Sequence, residues 1–333
     1  MVPPSSAQQR LDNFLARHFK DVPKAKIYRI IRRGEVRVNR GRVPPNHRLA
    51  CGDEVRVPPL NSAPRQTPPH GPASMLSALE ASVVHEDDQL LILNKPAGMA
   101  VHGGSGVRLG VIEALRQSRP EAPYLELAHR LDRDTSGCLA IAKRRSTLRR
   151  FHEGLRERAL RKAYLCMVAG RWHKSAALDA PLRKVGRGKN RTVRVDETSG
   201  KSSLTYFEPL DHWQTAKGAG TLLRVELVTG RTHQIRVHAA DAGHPLAGDD
   251  RYGDREFNRG MQQVGLRRLF LHAESVSLPA KVLGEPLVVH APLGGELKHV
   301  LSALDCEIPN PTFSPGVTRR KRPRLAAKQK NGV

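Results

Sequence analysis

The sequence predicts an α+β protein with two domains, and three observations carry that expectation. The chain has 333 residues, enough for about two domains at roughly 100–200 residues each. Between two patterned regions lies 59–78, PLNSAPRQTPPHGPASMLSA, rich in Pro, Ser and Ala, which reads as an extended linker. Strand-like runs then follow one another without regular strand–helix alternation, which favours α+β over a doubly wound sheet.

In chain order, 9–58 reads as a small α+β unit. QRLDNFLARHF places Leu11, Phe14, Leu15 and His18 on one face at helical spacing. VPKAKIYRIIRRG opens on Pro23, suited to a first helical turn, and stops at Gly34, suited to a C-cap. Its apolar face is Ile27, Ile30 and Ile31, with Lys26, Arg29 and Arg33 opposite. EVRVN and DEVRVPP alternate with period two and read as strands.

A second domain is expected over 79–310. SVVHEDDQLLILNKPAG reads as strand, turn, strand and a Lys95-Pro96 break. GCLAIAK, KAYLCMVAG and TLLRVELVTG read as further strands. STLRRFHEGLRERAL is a polar helix with Leu148, Phe151 and Leu155 inward. Thr232 is placed to cap a helix HQIRVHAADA that stops at Gly243. The stretch 311–333 is Pro-rich, then basic, and reads as disordered.

Charge narrows the class of function. The chain carries 56 Lys and Arg against 32 Asp and Glu, a net charge of +24, with a pI near 10.7. Such a balance is the footprint of a nucleic-acid binder. The excess is concentrated at the ends: 1–60 holds 13 basic and 5 acidic residues, and 311–333 holds 7 and none. From Lys24 to Arg42 eight basic residues accompany one acid, Glu35. Like charges at helical spacing repel, and a phosphate backbone relieves that repulsion. Lys26, Arg29, Arg33, Arg37 and Arg40 are therefore expected to contact RNA or DNA. The start MVPPSSAQQR lacks a signal-peptide core, and no apolar run approaches the ~18 residues of a membrane span. A cytoplasmic location and no membrane partner are expected. Four scattered Cys, without a C-x-x-C pair, argue against structural zinc and against a disulfide framework.

Two stretches carry candidate chemistry. LAHRLDRDTSG, 127–137, is open to two readings on its residues alone. It is an ordinary charged turn, or a site in which Asp132, flanked by Arg130 and Arg133, is a carboxylate kept ionised by nearby cations and able to attack a sugar carbon. The His129, Asp132, Asp134 spacing does not suit a metal. TGRTHQIRVH, 229–238, places Arg236 near a helix start, where anions settle. Phosphate-loop, dinucleotide and nucleophile-elbow patterns are lacking.

Together EDDQLLILNKPAGMAVHGGSG, HRLDRDTSGCLAIAK, RKAYLCMVAG, GKSSLT and LVTGRTHQIRVHAADAGHPLAGDDRYG follow the order of the RluA-type pseudouridine synthases. Residues 9–305 resemble that family, and the N-terminal unit resembles an S4 RNA-binding domain. The resemblance implies a mixed, mostly antiparallel sheet with flanking helices, and neither cofactor nor metal. It implies 23S ribosomal RNA as the partner and a monomeric enzyme that isomerises uridine to pseudouridine. Asp132 would be the essential carboxylate, attacking C1′ or assisting glycal formation. Tyr164 would stack on the base and is a proposed proton acceptor. Arg236 would form an ion pair with the catalytic Asp. Arg130 would fill the gap left by a flipped uridine, with Arg231 and His129 beside it at the substrate. Asp134 would hold the turn that aims Asp132. Two other readings stand beside this one: a ribosome-associated RNA-binding protein without catalysis, and a family member acting on other rRNA or tRNA sites.

Overall fold

The computed structural model describes residues 1–19, 22, 24–60, 71–103, 109–186, 192–215 and 218–308. The chain divides into two units, Met1–Pro69 and His70–Val333. Pro23 and the basic stretch 311–333 lie outside the described residues.

The first unit contains helices α1 (Leu11–His18) and α2 (Lys24–Arg33) and strands β1 (Arg37–Val38) and β2 (Val55–Arg56), which pair antiparallel. Its core gathers Leu11, Phe14 and Leu15 with Ile27, Ile30 and Ile31, over Val36, Val38 and Leu49. His18 departs from the expected face. It is exposed, and its ring lies 4.1 Å from that of Phe14 with Nδ1 at the Phe14 carbonyl. Asp12 is buried instead, because Arg10 and the Tyr28 hydroxyl satisfy its oxygens and Arg10 holds its carboxyl below the usual range.

The second unit is built on a sheet with the strand order β3-β4-β6-β13-β7-β12-β11-β8, ten-stranded among the described residues when β5 on β6 and β14 on β13 are included. Its strands are β3 (Val83–Glu86), β4 (Leu90–Lys95), β5 (Glu126–Leu127), β6 (Ser136–Ala142), β7 (Arg161–Ala169), β8 (Ala176–Asp179), β11 (Leu204–Thr215), β12 (Gly218–Leu227), β13 (Leu271–Leu278) and β14 (Leu287–His290). A separate hairpin pairs β9 (Leu182–Val185) with β10 (Thr192–Val195). The helices are α3 (Ala73–Ala81), α4 (Val111–Ser118), α5 (Arg145–Arg156), α6 (Gln234–Asp241), α7 (Arg255–Gln263), α8 (Ala280–Leu283) and α9 (Gly295–Ala303). SGCLAIA in β6 is buried at every position, as a continuous apolar run demands of a strand covered on both faces. Strands β6 and β13 run parallel at the middle of the sheet, and the other pairs are antiparallel.

One boundary differs from the sequence reading. The stretch expected to be extended linker up to residue 78 already contains α3, whose Met75, Leu76 and Leu79 pack on the main core. Pro and Ser set the average composition there, while three apolar residues at helical spacing set the structure. Cys138, Cys166 and Cys306 are buried thiols and Cys51 is exposed. No helix among the described residues is long and apolar enough to cross a membrane.

Candidate active site

The loop that carries HRLDRDTSG enters the middle of the sheet at the start of β6. It turns through a bond from the Thr135 N–H to the Asp132 carbonyl, 3.2 Å. Gly137 then pairs with Ala273 across the parallel β6–β13 junction, at φ +106°. A Cβ at this position would lie 2.2 Å from the Ala273 carbonyl oxygen, so both backbone and space require glycine. Ser136 donates to Nδ1 of His272 and accepts from Arg268, at 2.9 and 2.6 Å. The His272 Nε2 donates to the Ala291 carbonyl at 2.9 Å, so the imidazole is neutral, and burial pushes its pKa down to about 4.

Asp134 was expected to hold this turn, but among the described residues its carboxylate bonds the adjacent Arg133 side chain alone, at 3.0 Å. The anchor is Lys95, the last residue of β4, which the sequence reading treated as a chain break. Its side chain is fully buried, and Nζ donates to the carbonyls of Pro96, Met99 and Arg133 at 2.7, 2.9 and 3.0 Å. Burial pushes its pKa down to about 7. Three accepting carbonyls match the three N–H bonds that only the ammonium form offers.

Asp132 is half-buried, and the nearest cation-forming group is His233, with Nε2 4.0 Å from Oδ2. Thr232 does not cap α6; His233 stands at the cap in the left-handed region, φ +54°. Its Nδ1 meets the Tyr252 hydroxyl at 2.8 Å. Burial lowers the His233 pKa while Asp132 pulls the other way. The turn before α6 is fastened by Gln234, a buried amide with every group used. Its Oε1 accepts from Thr229 and from the Arg231 N–H, and its Nε2 donates to the Leu204 carbonyl and to Thr205.

Arg236 does not form the expected ion pair with Asp132. It grips Asp249 with Nε and one terminal nitrogen, both at 2.7 Å, and lies over the Tyr252 ring at 5.1 Å. Asp249 outcompetes Asp132 because it is buried and its geometry is bidentate. Burial opposes the charged carboxylate, but the arginine prevails and holds Asp249 below the usual range. Arg236 still faces Asp132 across the cleft wall and feels its charge.

A cavity of about 590 Å³ brings together Asp132, Tyr164, Arg130, Arg231, His129 and Lys162. Lys162 and Tyr164 are two residues apart on β7, hence on one face of the strand. Tyr164 is buried, and its hydroxyl makes no hydrogen bond among the described residues. Burial, then the Asp132 charge, raises its pKa, so it is a neutral phenol. Lys162 is half-buried and makes no hydrogen bond or ion pair among the described residues; burial pushes it down to about 8. The stretch KAYLCMVAG points by resemblance to its tyrosine; the lysine two residues before it carries no such signal, and its place in the cavity is a finding of the structure. Arg130 and Arg231 are exposed at the rim, Arg231 held by the Ser202 carbonyl at 3.2 Å. His129 turns to the protein instead: its Nε2 accepts from the Ala140 N–H at 3.0 Å, and its ring stacks on Phe151 at 5.9 Å. Burial pushes its pKa down to about 3, so it enters the cleft as a neutral wall.

In the first unit Arg29, Arg33 and Arg40 are exposed and Lys26 and Arg37 half-buried. Arg33 has a 3.9 Å contact with Glu35. Asn39 and Arg40, at φ +47° and +67°, form the tight turn between Val38 and Gly41. Among the described residues no three His, Cys, Asp or Glu side chains are grouped to hold a metal.

A carboxylate and a buried tyrosine in one cleft of a mixed sheet, with arginines at its rim, define a class, and comparison with known proteins agrees. Residues 89–241 match the RNA pseudouridylate synthase family and residues 9–55 the S4 domain. The chain belongs to the RNA pseudouridylate synthase family. It is 51% identical over 301 residues to the ribosomal large subunit pseudouridine synthase C of Yersinia pestis, covering 90% of this chain and 92% of that one. It is 50% identical over 303 residues to the protein of the same name from Escherichia coli K12, covering 90% and 93%. Among solved structures, human RNA pseudouridylate synthase domain containing 4 aligns with a TM-score of 0.57 at 26% identity, over 71% of this chain and 98% of that one.

Proposed function

We propose that the protein isomerises several uridines of 23S ribosomal RNA to pseudouridine, without a cofactor, as a cytoplasmic enzyme. The reading is carried by one observation: Asp132 and Tyr164 line the same cavity, with the cations Lys162, Arg130 and Arg231 around them. Uridine isomerisation breaks N1–C1′, turns the ring, forms C5–C1′ and removes the proton from C5. The base lies inside structured RNA, so it must be flipped out, which costs a few kcal/mol of stacking. Exposed Arg130 suits the vacated space, since a guanidinium both stacks and meets phosphate.

Asp132 acts on the ribose, where its carboxylate meets the carbon that loses N1. Tyr164 enters as the neutral phenol and supplies a flat face to the uracil ring. Its raised pKa keeps it a neutral phenol in the resting site; once C5–C1′ has formed, the C5 proton passes to the freed Asp132 carboxylate in the same cavity and a proton returns to N1. The uracil gains negative charge as N1–C1′ breaks, and a fixed cation in a partly dry cleft stabilises it. Lys162, without a hydrogen bond or ion pair among the described residues, lies on the tyrosine's strand in the cavity wall. Arg236 acts at one remove, clamping the turn at Asp249 against α6.

Asp132→Asn keeps shape and removes charge. It should lower single-turnover pseudouridine formation on unmodified 23S rRNA by at least ~10³-fold, while RNA affinity changes by less than about threefold. Activity near wild type in this variant would remove Asp132 from the chemistry. Pseudouridine mapping of 23S rRNA from a strain lacking the gene should show several uridines unmodified; an unchanged map would refute the rRNA assignment.

A further inference from the structure

The cleft continues beyond the catalytic carboxylate. A second cavity of about 640 Å³ shares Arg130, Asp132, His233 and Arg236 with the first and is lined further by Arg133, Arg251, Arg267 and Arg268. A third, of about 660 Å³, shares Asp250 and Arg251 with the second and extends along α7 past Arg255, Asn258 and Arg259. The helix presents two unlike faces. Phe257 and Met261 pack into a core with Trp213, whose ring stacks 6.0 Å from Phe257. Arg255 and Arg259, four residues apart and so on one face, are exposed and make no hydrogen bond or ion pair among the described residues. The acids nearby are Asp249, engaged by Arg236, Asp250 on the rim, Glu256 on the helix, and Asp254, whose carboxylate is engaged in capping the helix at the Phe257 N–H. The face is also fixed relative to the cleft. Asn258 accepts from the Gly248 N–H at 2.8 Å and donates to the Asp249 carbonyl at 3.2 Å, and Asp249 holds Arg236.

Two arginines of like charge at i, i+4 spacing repel one another, and neither is ion-paired among the described residues. We propose that Arg255 and Arg259 form a phosphate track that holds the ribose-phosphate backbone of the RNA as it leaves the catalytic cleft. The proposal rests on the functional reading above. A uridine at Asp132 is one link in a chain that carries phosphate on both sides, and that chain must leave along a groove. One groove that leads away from Asp132 is walled by arginines. Guanidinium groups bind phosphate by paired N–H donors and release counterions in doing so. RNA binding is thus shared by the catalytic unit and is not confined to the basic S4 unit.

The test uses the full chain with an unmodified 23S rRNA transcript and the double variant Arg255→Ala/Arg259→Ala. Affinity should weaken roughly tenfold at physiological salt, and the slope of log affinity against log salt should become shallower by about two. The single-turnover rate of pseudouridine formation at saturating enzyme should stay within about twofold. Arg255→Lys/Arg259→Lys should recover most of the affinity, since point charges remain, whereas a purely structural role for the guanidinium forks would leave it low. An unchanged affinity and salt slope in the alanine pair overturns the proposal, whatever acidic protein the face then binds. So does a lost saturating rate at unchanged affinity, which would place α7 in the chemistry. If the wild-type chain makes no pseudouridine from this RNA, the functional reading fails, while the salt slope still reports on the track.

Discussion

Two lysines flank the candidate chemistry and differ in what meets the ammonium group. Lys95 gives its three N–H bonds to three carbonyls and serves the backbone. Lys162 gives none among the described residues and stands in the cavity with Asp132 and Tyr164. A charge left half-buried and unpaired costs stability, and a cavity that receives a leaving uracil is where such a charge has use. Burial holds the Lys162 pKa at about 8. The charged form therefore prevails below that pH and is lost above it. The rate constant kcat/KM, which reports on the free enzyme, should fall as pH rises through about 8. Lys162→Met should lower kcat/KM by roughly 10²-fold and abolish that alkaline limb, with the melting temperature unchanged or raised. An alkaline limb that survives in Lys162→Met would belong to another group. At this scale the sequence disclosed identities more readily than partners. Asp132, Tyr164 and Arg236, named from their motifs, line one cavity. The pairing of Arg236 with Asp249 is not legible in the motifs, because the choice between two nearby carboxylates depends on burial and on the angle of approach.

At the scale of elements, the site depends on a parallel junction between β6 and β13 within an otherwise antiparallel sheet. Thr-Ser-Gly ends the catalytic loop and begins β6, and each residue has a separate task there. Thr135 closes the turn onto the Asp132 carbonyl, Ser136 joins Arg268 to His272, and Gly137 lets the Ala273 carbonyl come close. Gly137→Ala has to overcome both the positive φ and a 2.2 Å overlap with backbone that cannot swing away. It should cost about 3 kcal/mol or more and lower the melting temperature by several degrees, read by calorimetry. Should the variant melt as wild type does, the junction is looser than its geometry implies. Much of the element order was legible because periodicity is local: β4, β6, β7 and β12 coincide with apolar or alternating runs. The helix α3 was hidden by the Pro and Ser around it, and the pairing of β6 with β13 lies between segments about 135 residues apart. No local pattern encodes such a pairing.

Over the whole molecule, the charge of +24 resolves into separate basic surfaces. One is the S4 helix α2, where Ile27, Ile30 and Ile31 are buried and Arg29 and Arg33 stand exposed on the other face. Another is the arginine face of α7 in the catalytic unit. If both hold the same RNA, their contributions to counterion release must add, since they share no residue and lie in different units. Lys26→Ala/Arg29→Ala/Arg33→Ala should weaken binding to 23S rRNA at all sequences and flatten the salt slope by about three. It should leave the rate at saturating enzyme within about twofold, because no residue of α2 lines the cavity that holds Asp132. Combining these three changes with the α7 pair should flatten the slope by about five. A combined slope equal to that of the triple variant alone would mean that only one surface meets the RNA. A drop in the saturating rate of the triple variant would mean that the S4 unit also sets the geometry of the bound uridine.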